Sequence, residues 1–86
     1  MITKKEKKHL LNKLKRIQRY FNRLEKIEEN EKIKDKAKKR IVKAFQKHIN
    51  RKIDKLIKHI QKRSGKGIDP ETANQLMKDL EYIKFS

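Results

Sequence analysis

The 86-residue chain contains no cysteine and no tryptophan, a single proline and only two glycines. Without cysteine there is neither a disulfide framework nor a thiolate metal site. With so few breakers, little in the chain forces a helix to stop. Acids are scarce too, with 11 Asp+Glu against 27 Lys+Arg, a formal net charge of +16. Apolar runs are no longer than pairs such as Leu10-Leu11 and Ile41-Val42. No stretch therefore spans a membrane or supplies the apolar core of a signal peptide, and a cytoplasmic or nucleoid-associated setting is expected. A core this small leaves no room for a sizeable active-site cavity, so one domain is expected.

What the sequence does have is positive charge in blocks. Residues 1–24 hold nine Lys/Arg against one Glu (+8), and residues 36–67 hold thirteen against one Asp (+12). The intervening 25–35 and the terminal 68–86 each sum to −2. Blocks of like charge are often disordered tails. Regularly spaced aliphatics within both basic blocks argue against that here.

Thr3-Lys4-Lys5-Glu6 fits a capping box, in which the Thr hydroxyl and the Glu carboxylate each satisfy the other's backbone N–H. Leu10, Leu14, Ile17, Phe21 and Leu24 follow a 4-3-4-3 spacing, the narrow seam of one long helix over about residues 3–30. Val42, Phe45, Ile49, Ile53, Leu56 and Ile60 form the seam of a second helix, about 34–64. Gly65 suits the left-handed position beyond its end. Between the two helices, Asn30 can close the first and Asp35 can cap the second. Two one-sided seams are buried most simply by an antiparallel hairpin. The alternative is one helix of roughly 60 residues dimerised as a coiled coil.

Ser64-Gly65-Lys66-Gly67 reads as a mobile connector within a 65–69 linker. Asp69-Pro70-Glu71 is a strong helix start. Ala73, Leu76, Met77, Leu80 and Ile83 stripe a third helix, about 70–84, which is expected to dock near Ile41, Ala44 and His48. The expected fold is thus all-α, a small bundle of two long helices and one short, with homodimerisation through leftover seam as a second route to stability.

Opposite the seams lie two cationic faces. Helix one presents Lys8, Lys15, Arg16, Arg19 and Arg23; helix two presents Arg40, Lys43, Lys47, Arg51, Lys55, Lys58 and Lys62. Ordinary surface helices mix signs and pair Glu with Lys at i,i+4. Asp54–Lys58 is almost the only such pair within the basic blocks. A polyanion is the natural partner: RNA or DNA gripped through phosphates, the arginines giving positional contacts and the lysines general ones. The same faces also suit a small inhibitor or adaptor that fills an acidic or nucleic-acid-binding groove of another protein. No helix-turn-helix, zinc-finger or basic-zipper layout is visible, so base-specific readout is not expected.

Other motifs carry less. Ser64-Gly65-Lys66-Gly67 lacks the upstream Gly and following Ser/Thr of a Walker A loop. His48 and His59 are too far apart for one metal ion, and His9, His48 and His59 read as seam-edge residues that stay neutral among the surrounding cations. No hydroxyl has a His and a carboxylate at helical spacing. Neither an enzyme activity nor a cofactor is expected. Tyr20, Phe21 and Phe45 read as core, and Tyr82 as the aromatic free to stack.

Overall fold

The computed structural model describes residues 2–86. It contains three helices and no strand among the described residues: α1 (Lys4–Glu29), α2 (Asp35–Arg63) and α3 (Pro70–Ile83). The Thr3 hydroxyl accepts the Glu6 N–H at 3.3 Å, so half of the capping box forms. The reciprocal half does not. The Thr3 N–H donates instead to the Gly67 carbonyl at 3.0 Å, and the Glu6 side chain turns toward α2.

A single 60-residue helix is ruled out by the break at 30–34. Asn30 is the C-cap of α1, and its side-chain oxygen accepts the Lys32 N–H at 3.0 Å. That local turn competes with continued helix. Asp35 does not cap α2; the capping position falls to Lys34, which makes no side-chain cap hydrogen bond. Asp35 is already helical and sets an acid in the first turn, where the helix dipole favours it.

Leu10, Ile17 and Leu24, seven residues apart, are the buried line of α1; Ile49, Ile53, Leu56 and Ile60 are that of α2. The two helices meet with Glu6 at His59 and Arg63, Tyr20 at His48, and the Lys38 ammonium on the Glu28 carbonyl. Leu14, expected in the seam, is 37% exposed.

The reason lies with α3. It does not dock near Ile41, Ala44 and His48 but against the other half of α2. The Asn50 side chain exchanges two hydrogen bonds with the Phe85 backbone (2.8 and 2.9 Å), and Lys84 pairs with Asp54 at 2.7 Å. Asp54 thereby goes to the tail of the chain and not to Lys58. That hydrogen bond raises the Lys84 pKa above its ordinary value. A short connector dictates this placement, because six residues cannot carry a helix start from Arg63 back to Ile41 along the length of α2.

The connector is tied down by backbone hydrogen bonds and one buried side chain. Gly65 adopts φ +83°, its N–H donates to the Ile68 carbonyl at 2.7 Å, and the Arg63 carbonyl receives the N–H groups of Lys66 and Gly67. Ile68 is 1% exposed, a core residue inside a turn, and bridges to Ile2. Asp69 then caps α3 through the Thr72 N–H, with Pro70 at the first helical position.

Candidate nucleic-acid interface

Where α1 and α2 pack, each turns one flank of its buried line outward on the same side. On α1 this flank carries His9, Lys13 and Arg16; on α2 it carries Lys52, Lys55 and His59. Together they wall a cleft of about 260 Å³ floored by Ile17 and Leu56. Four permanent cations and two imidazoles converge there, and no acid lines it. The imidazoles of His9 and His59 lie 4.5 Å apart, tilted by 40°.

A second hollow continues from the same two histidines and adds Lys5, Lys8, Asn12 and Arg63. Its one acid is Glu6, 5% exposed, whose carboxylate accepts from His59 Nε2 at 2.5 Å and from Arg63 Nε at 3.2 Å. Burial pushes the Glu6 carboxyl up, but the hydrogen bonds and electrostatic attraction of His59 and Arg63 outweigh it. The net result holds Glu6 below its ordinary value. Glu6 is thus spent as a fastener between the helices, leaving the cleft beside it uncompensated.

All twelve cations singled out from the sequence are exposed, and none makes an ion pair among the described residues. They do not form one surface, however. Arg16 and Lys55 line the cleft and Lys8 the adjoining hollow. Helical spacing puts Arg19 and Arg23 on the α1 side of this region and Lys15 farther round. Helical spacing runs Arg40, Lys47, Arg51, Lys58 and Lys62 down the solvent face of α2 that adjoins Lys55, and Lys43 lines a separate hollow with Lys38 and Lys39. Lys13, Lys52, His9 and His59 were missed by opposite-face reasoning because they flank the buried lines around each helix and do not stand opposite them. A converging pair of flanks is visible only once the partner helix is known.

Tyr82 is 90% exposed, while Phe21 packs on Phe85 and Tyr20 on His48. Among the described residues no group of three or more His, Cys, Asp or Glu could hold a metal ion, and no helix is long and apolar enough to cross a membrane. No family model, curated protein or solved structure matches this chain.

Proposed function

We propose that the chain is a non-catalytic nucleic-acid-binding protein that holds RNA or DNA through its phosphates, on a platform made by an antiparallel α1–α2 hairpin. The observation that carries this reading is the convergence of Lys13, Arg16, Lys52 and Lys55 on one cleft with no carboxylate in its lining. Grouping like charges costs folding energy through mutual repulsion, and a polyanion bound there offsets that cost. Lysine dominates the exposed cations, which favours point-charge contact with phosphates over bidentate base reading. A cytoplasmic or nucleoid location follows from that partner.

The test is binding of nuclease-treated protein to labelled RNA and duplex DNA over a salt series. Four cleft contacts give a log–log slope of about −3 on single strands and about −4 on duplex, with affinity below micromolar near physiological salt. Weak binding with a shallower slope would transfer the cleft to an acidic protein surface, the partner of an inhibitor or adaptor.

A further inference from the structure

A three-helix core is usually closed by each helix meeting both others. Here α2 meets α1 and α3, but no Cα of α1 comes within 8 Å of a Cα of α3. The gap between them is a second cleft, about 260 Å³, with Leu10 and Leu14 on one wall, Leu76 and Ile83 on the other, and Leu56 and Ile60 beneath. Asp79 is the single polar residue in its lining. Leu14 and Ile83 are 37% and 42% exposed, and Leu11, one turn before Leu14 on α1, is 48% exposed. Singly exposed aliphatic side chains need no explanation, whereas an apolar cleft edged by exposed Leu14 and Ile83 marks a contact surface.

We propose that a second copy of this chain covers the cleft. The argument for that occupant is the charge on its two walls. The α1 wall belongs to the +8 segment, with Lys7 beside Leu11 and Leu14 by helical spacing. The α3 wall belongs to a −2 segment and presents Asp79, held by Gln75 at 3.0 Å. A uniformly acidic helix would be drawn to one wall and repelled by the other, and a basic helix the reverse. A two-fold axis sets each α1 wall against the partner's α3 wall, matching leucines to leucines and Lys7 to Asp79. The basic cleft lies on the other flank of α1 and stays open, so the dimer carries two phosphate-binding clefts facing apart. The dimerisation itself does not depend on the nucleic-acid reading.

The test is the mass of nuclease-treated full chain by sedimentation equilibrium at low and high salt. Two chains of such net charge repel, so salt strengthens this association while weakening binding to a polyanion. The expected result is a species of twice 10.5 kDa that grows with salt. L14E should return the single-chain mass. D79K, at an exposed position, should raise the dissociation constant about tenfold, because two-fold symmetry counts the contact twice. Where L14E loses helicity, D79K alone decides. A single-chain mass at every salt and concentration overturns the proposal and leaves the cleft to a different protein; a dimer that neither variant weakens overturns it as well.

Discussion

Reversing Arg16 and Lys55 together to glutamate is expected to lower affinity for RNA or DNA about 100-fold, roughly 3 kcal/mol. Both side chains line the α1–α2 cleft, and their reversal takes its four permanent cations to a sum of zero. The salt slope should fall by about 2, one unit for each lost phosphate contact. The control is R40E/K43E, which changes net charge identically on the Asp35–Ile49 half of α2, away from the cleft. It should cost less than about tenfold. Equal losses in the two variants would mean that overall charge, not the cleft, drives binding. Neither pair should lower the melting temperature, because all four residues are exposed and unpaired among the described residues.

Glu6→Ala is expected to destabilise the protein by about 2 kcal/mol, lowering Tm by roughly 8–16 °C for a domain of this size. The carboxylate is 5% exposed and joins two partners on α2. Removing one member of a fully buried pair costs more, about 3–5 kcal/mol. The side chains of His59 and Arg63 keep 32% and 44% of their surface in water, so the groups left without their partner are partly solvated. The pH dependence has a fixed sign. Glu6 sits lower in the folded state than its ordinary value of 4.5, so its contribution is complete above that value. It is lost as pH falls through the folded-state value and the native carboxylate takes up a proton. Melting curves of wild type and Glu6→Ala should therefore differ near neutrality and converge in strong acid. A constant gap across that range would show that the packing of the side chain matters and its charge does not.

The elements whose signals are local could be read from the sequence. Asn30 ending α1, Gly65 in a left-handed turn and Asp69-Pro70 opening α3 each depend on one or two residues' own backbone preferences. Buried lines at Leu10, Ile17 and Leu24 and at Ile49, Ile53, Leu56 and Ile60 follow from helical period alone. What was illegible depended on pairings across the chain. Glu6 read as a capping-box residue because its partners lie 53 and 57 residues away. Ile68 read as linker because a lone isoleucine between glycine and aspartate has no period. The cleft cations were divided the same way: Arg16 and Lys55 satisfied an opposite-face rule, whereas Lys13 and Lys52, nearer the buried lines around their helices, failed it although all four share a wall-to-wall space.

Because α3 and the Phe85 that follows it reach back along α2 only to the Asn50 level, α2 is supported unequally along its length. From Asn50 to Arg63 it is held by two neighbours and by the Phe85 clasp; from Asp35 to Ile49 it leans on α1 alone, with Val42 and Phe45 only half-buried. Local opening should therefore begin at the 30–34 turn and travel inward. Amide exchange along α2 should slow in steps, fastest before Val42 and slowest around Ile53 to Ile60, so that one end breathes while the other stays closed. Uniform protection from Lys38 to Arg63 would contradict this. Arg40 and Lys43 ride on the yielding end and Lys52 and Lys55 on the firm one, so the phosphate cleft rests on the part of the molecule that opens last.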